Sequence, residues 1–248
     1  MYRKALKWTW LEHGTWAVLW TAFACGALVA WPPTPTTAAT LVGLSAFAAA
    51  KVLVVRVHRG QLAPRVLAAL VLAGGAALSP LLRAAPLAVI GVGAAGGPFL
   101  WIYFRGARSF RWTRSLLVEL SGVLLMSSAA GLAVLSSRPH ALATAGFASL
   151  LVAALFVPAI PRAKLLKSRE AAMRWLLLGG ALAGATIYGM AAVHGLLPWW
   201  GALAGLVFLD DARAGLRPEH GTTRRLGLAL TLRNAGVVLL VALAWKPL

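Results

Sequence analysis

Nine apolar runs follow one another along the 248 residues, divided by short breaks rich in Arg, Lys and Pro. Their limits are 14–31, 37–55, 66–82, 85–104, 115–135, 141–160, 175–193, 195–209 and 226–245. A helix that crosses a hydrocarbon core needs about 20 apolar residues, and eight of the runs approach or reach that length. The eighth in order, carrying Pro198-Trp199-Trp200, is shorter and reads as a tilted or partial crossing. With 60% hydrophobic and 12% charged residues and a mean hydropathy of +0.79, too few polar side chains exist to cover a water-facing surface. A soluble fold is excluded. The expectation is an all-α, polytopic transmembrane helical bundle of about nine spans, with residues 1–248 forming a single transmembrane domain.

The charge pattern orients that bundle. There are 24 Lys and Arg against 6 Asp and Glu, a formal charge of +18. When alternate connections are placed on one side, all but four of the basic residues fall there, the exceptions being Arg83, Arg138, Arg233 and Lys246. Loops rich in Lys and Arg stay in the cytoplasm, so the N-terminus is expected inside and the C-terminus outside. The chain is expected in a bacterial cytoplasmic membrane. No nucleic-acid partner is expected, because the basic excess is a topology signal. Arg105, Arg108, Arg111 and Arg114 recur every third residue and suit anionic lipid headgroups at the cytoplasmic face, where each cation gains roughly 1 kcal/mol.

No connection is long enough for a soluble domain; the longest runs from Asp210 to Arg225. The opening stretch imitates a signal peptide, but the spans that follow favour an uncleaved first helix. Small residues in Ala73 to Ala77, Gly91 to Gly97 and Gly179 to Gly184, including the Gly93/Gly97 and Gly180/Gly184 pairs, allow helix backbones to approach closely in lipid. Trp8, Trp10, Trp31, Trp101, Trp112, Trp175, Trp199, Trp200 and Trp245 fall near span ends and read as interfacial anchors. The single cysteine, Cys25, permits no internal disulfide and reads as packing.

An ionisable group at membrane depth costs several kcal/mol unless paired or hydrated, so the few acidic residues and the basic residues inside spans are the candidates for chemistry. Glu12 and His13 stand at the cytoplasmic mouth of the first span, Lys51 in the last turn of the second, Glu119 inside the fifth, and Arg233 and Asn234 about two turns inside the ninth. At ~1.5 Å per residue these come to a similar depth. They define the expected site, a cytoplasm-open polar pocket formed by Glu12, His13, Lys51, Glu119, Arg233 and Asn234, with Glu119 and Arg233 as ion-pair partners. Snorkelling or structural ion pairing would account for the same residues.

Asp210-Asp211-Ala212-Arg213-Ala214 begins like the Asp-rich magnesium–diphosphate sites of isoprenoid enzymes, but a second acidic segment is missing. Glu12-His13-Gly14-Thr15 recurs as Glu219-His220-Gly221-Thr222, each before an apolar run. With no HExxH pattern and one Cys inside a run, zinc ligation is not indicated. No cofactor or metal site is expected.

Glu12-His13-Gly14-Thr15-Trp16-Ala17 resembles the Glu/Gln-His-Gly-Ala-Trp-Ala opening of the YwiC-like family of bacterial membrane proteins, with Thr15 in place of the usual Ala. Arg114-Ser115-Leu116-Leu117-Val118-Glu119-Leu120 resembles that family's Arg-Ser-Leu-x-x-Glu-Leu segment. Arg225-Leu226-Gly227 before the last helix is also similar, without the acidic residue expected after it. The resemblance implies an integral membrane protein, supplies no established activity, and associates such proteins with nitrate-respiration genes. It adds weight to His13 and Glu119.

Three functions compete on these grounds. The first is a carrier or binder of a small anionic or lipid-like molecule through the cytoplasm-facing pocket, in which Glu119, His13 and Arg233 bind an anion or relay a proton. The second is a membrane assembly or stabilising factor with a respiratory complex as partner. The third is a prenyltransferase-type lipid-modifying enzyme. An enzyme is the less favoured class.

Overall fold

The computed structural model describes residues 13–58, 60–106, 115–168, 170–199, 203–217 and 223–245. They form ten α-helices and one 3-10 turn: α1 (His13–Val29), α2 (Pro35–His58), α3 (Pro64–Ala84), α4 (Pro86–Gly106), α5 (Leu116–Ser137), α6 (Leu142–Phe156), α7 (Ala159–Ser168), α8 (Ala171–Val193), the 3-10 turn Leu203–Leu206, α9 (Val207–Leu216) and α10 (Thr223–Ala244). Among the described residues, six helical segments are long and apolar enough to cross a membrane: Pro35–Val54, Pro64–Ala84, Leu116–Ser137, Leu142–Leu166, Ala171–Val193 and Arg225–Ala244. The apolar parts of α1 and α4, Trp16–Val29 and Pro86–Pro98, are shorter. The chain is a multi-pass helical membrane protein.

Local sequence sets the helix starts. α2, α3 and α4 each begin on a proline, which has no N–H to leave unpaired in a first turn and whose φ suits a helix. α5 begins after Ser115, whose hydroxyl accepts from the Val118 N–H at 3.4 Å, a side-chain cap on an otherwise unpaired donor. The segment expected at 141–160 runs further, as α6 and α7 with a break at Val157-Pro158. Pro158 and Pro161 have no N–H to offer the carbonyls four residues earlier, which interrupts the ladder. The Val157 carbonyl instead accepts from Ile160 at 3.3 Å.

The run expected at 195–209 differs most. After α8 the chain turns at Gly195 (φ 73°), a conformation that suits a residue without Cβ, and Pro198 follows. Among the described residues that follow, helical structure runs from Leu203 past Asp210 to Leu216, so the Asp pair lies on a helix and not in a connection. Phe208 holds this helix in place: its ring packs edge-on to Tyr188 (5.4 Å, 67°) and lies where a side chain at Gly184 would be. At about 23 Å by helical rise, the 3-10 turn and α9 together fall short of a full crossing.

The core sits where α1 packs on α5 and α6, with α10 beside α1 and α8 beside α6. Gly26 makes the α1–α5 contact possible, because a Cβ there would run into the Ala130 carbonyl. α8 buries one stripe, Met173, Leu177, Ala181, Gly184, Tyr188 and Ala191, at the three-to-four-residue spacing of a single helix face. Trp175, Leu176, Leu182, Met190 and Val193 face outward, as lipid requires. At one end of α5 the loop between α1 and α2 is clasped by hydroxyls: Thr34 donates to the Ser136 carbonyl (2.9 Å), and Ser136 Oγ donates to Thr37 (2.9 Å).

Of the expected tryptophan anchors, Trp31, Trp101, Trp175 and Trp199 have exposed rings. Trp245 does not: it is buried in the core, just past the end of α10. Trp8, Trp10, Trp112 and Trp200 lie outside the described residues. Cys25 is buried in the same core. Replacing Gly26 by Leu should cost roughly 1–3 kcal/mol, as overpacking does. Leu at Gly75, which faces open space, should be near neutral; denaturant unfolding in mixed micelles measures both.

Candidate functional site

The polar residues that meet inside the bundle come from α7, α9 and α10. Arg162 follows the proline break, and its side chain is almost fully buried. Its Nη1 donates to Asp210 Oδ2 at 2.6 Å and to Asp211 Oδ1 at 2.7 Å. Arg233 Nη1, from α10, donates to the same two oxygens at 3.0 and 2.9 Å. The result is a closed ring of two guanidinium nitrogens alternating with two carboxylate oxygens. It carries no net charge, and it ties three helices together.

The two aspartates are not equivalent. Asp211 is completely buried and takes a further bond on its second oxygen, from Arg233 Nη2 at 3.1 Å. Asp210 is 49% exposed and bonds through Oδ2 alone among the described residues. Helical spacing explains the difference. Asp211 shares the buried face of α9 with Phe208, Ala214 and Gly215, whereas Asp210 lies one position round and opens outward between Leu209 and Arg213.

Asn234 braces Arg233. Its Oδ1 accepts from Arg233 Nε at 3.1 Å and its Nδ2 donates to the Leu155 carbonyl at 2.9 Å. That carbonyl lies in the last turn of α6, just before the break at Pro158. Asn234 is fully buried, and both ends of its amide are used, as burial demands. Arg233 stands eight residues beyond Arg225 in the last candidate span, roughly 12 Å along the helix. At that depth an unpaired guanidinium would be costly.

Of the six residues expected to form the pocket, Arg233 and Asn234 lie together in this network. Glu119 does not join them. In the first turn of α5, it pairs with Lys164 of α7 at 2.9 Å. Positions 162 and 164 point to different sides of a helix, so α7 separates the Glu119–Lys164 pair from the ring. The expected Glu119–Arg233 pair is replaced by Glu119–Lys164 and Arg233–Asp210/Asp211, because α7 stands between them. Lys51 is half-buried on α2 and is not a partner of Arg233, Asn234, Asp210 or Asp211. Glu12 and the side chain of His13 lie outside the described residues, as do the Glu219 to Thr222 segment and Arg108, Arg111 and Arg114.

Arg162, Asp210 and Asp211 were missed as members of one site. Arg162 counts as one more basic residue of a cytoplasmic connection when only charge alternation is read. The signals that could have found it are the flanking Pro158 and Pro161 and the Asp pair that precedes Arg233, a cation set deep in the last span. The carboxylates of Asp210 and Asp211 face guanidinium groups, an environment unlike the acidic clusters that hold magnesium. Against known proteins, no family model, curated protein or solved structure matches this chain.

Removing one partner of a buried pair leaves an uncompensated charge and costs about 3–5 kcal/mol. Asp211→Asn should therefore destabilise the protein by roughly that amount, whereas Asp210→Asn, at the half-exposed corner, should cost about 1 kcal/mol or less. Equal losses in denaturant unfolding would contradict the asymmetry of the ring.

Proposed function

We propose that this protein is a multi-pass carrier or binding protein for a small anion, with Arg162 and Arg233 as the groups that hold it. The observation that carries this reading is the ring itself: two arginines converge on a carboxylate that is open on one side, at depth, beside interrupted helical structure. Transporters use such discontinuous segments to bring ligand groups to the middle of the membrane, and arginine is the cation best suited to fork onto carboxylates or phosphates. Asp211 fixes the arginines, Asn234 orients Arg233, and the break at Val157-Pro158 places Arg162.

The nine crossings, with the N-terminus in the cytoplasm and the C-terminus outside, belong to this reading and rest on charge alternation. α1 and α4 then cross as shorter or tilted spans, and the segment containing α9 crosses in part. On that topology the ring and the Glu119–Lys164 pair lie towards the cytoplasmic leaflet of a bacterial inner membrane. Membership of the YwiC-like family is part of the same proposal, supported by the Glu12 to Ala17 and Arg114 to Leu120 motifs. Glu119 acts here in helix pairing, and Lys51, Glu12 and His13 are assigned to the cytoplasmic mouth. A role as an assembly factor for a respiratory complex finds support in α3, where only 11% of the candidate span is buried inside the bundle, although lipid would cover that face equally well.

In proteoliposomes, counterflow of radiolabelled acetate or phosphate should be measurable. Arg233→Gln should lower it at least tenfold, and Glu119→Gln should leave it within about threefold. Absence of flux for every small anion tried, together with absence of binding, would remove the carrier reading.

A further inference from the structure

The ring contains its own anion. If Arg162 and Arg233 form an anion site, as proposed above, the place a ligand would take is already filled, and the two aspartates fill it differently. Asp211 is buried and engaged through both oxygens. Asp210 is half-exposed and engaged through one oxygen only. An incoming anion that displaced Asp211 would strand a buried charge. One that displaced Asp210 would release a carboxylate already turned towards the outside, with an oxygen free to be hydrated.

We infer that Asp210 is a tethered substitute for the ligand, that the ligand is a small monocarboxylate, and that binding is an exchange in which the ligand's carboxylate replaces that of Asp210 on Arg162 and Arg233. The class follows from the geometry. The arginines present one Nη1 each to a single oxygen of Asp210, at 2.6 and 3.0 Å, and a ligand with the same group and charge restores the ring without changing its balance. A divalent anion would leave the ring negative, facing Asp211 across the same nitrogens. Among the described residues, the charged groups around Asp210 are Arg162 on α7, Arg233 on α10, and Asp211 and Arg213 on its own helix. Exchange also frees α9 from the two hydrogen bonds through Asp210, while the three through Asp211 keep the helix docked.

Removing the tethered competitor should expose the site. In purified protein, calorimetric titration should find acetate bound at least tenfold more tightly by Asp210→Asn than by wild type, with no comparable gain for chloride. Asp210→Ser provides the same test should the amide variant fold poorly. For wild type, difference infrared spectroscopy with ¹³C-acetate should show an aspartate carboxylate band moving as acetate binds, absent in Asp210→Asn. Binding to wild type with no gain in either variant, or an equal gain for chloride, overturns the exchange and leaves the anion-site reading in place. No binding of any small anion by wild type or variants overturns both.

Discussion

A guanidinium inside a lipid-embedded bundle must find carboxylates, and here that single demand fixes how three helices stand. Apolar burial does little to bring helices together in a hydrocarbon solvent. What holds them is close packing at small residues, as where Gly26 of α1 meets the Ala130 backbone of α5 and Gly184 receives the Phe208 ring, and polar pairing. The alternating ring of Arg162, Asp210, Arg233 and Asp211 supplies the pairing where α7, α9 and α10 meet. Each of these elements is irregular at that point: α7 follows a proline break, α9 is too short to cross alone, and α10 carries a charge about halfway along its candidate span.

The corners of the ring are unequal, and the proposed function rests on that inequality. A ring in which all four groups were buried and doubly bonded would act as a structural lock. Asp210 has an outward-facing oxygen and half its side chain exposed, so one corner can open while the remaining three stay in place. In the proposed exchange, Asp211 and Asn234 would keep the arginines aimed. The Glu119–Lys164 pair lies on another side of α7 and secures that helix to α5 independently of the ring.

Much of the architecture was legible in the sequence because lipid imposes a simple rule on it. The apolar runs agree closely with α2, α3, α4, α5 and α10, since a helix is the spanning structure that satisfies its own backbone. The segment after Pro198 was misplaced because its apolar content stops at Leu209, whereas the helix is held past that point by Phe208 packing and by salt bridges from distant residues. The site was half legible. Depth counting found Arg233 and Asn234, but it assigned Arg233 the wrong acid, since similar depth does not reveal which side of α7 a residue occupies. Arg162 was hidden among the loop cations whose number had made the topology readable.

Arg233 is coupled to Asp211 through the ring. A double-mutant cycle on Arg233→Gln and Asp211→Asn, read by denaturant unfolding in mixed micelles, tests it most directly. The coupling energy should be roughly 2–3 kcal/mol for that pair, within the range seen for groups in one ion-pair network, and near zero for Arg233 with Glu119. Additive losses for Arg233 and Asp211, or a large coupling between Arg233 and Glu119, would contradict it.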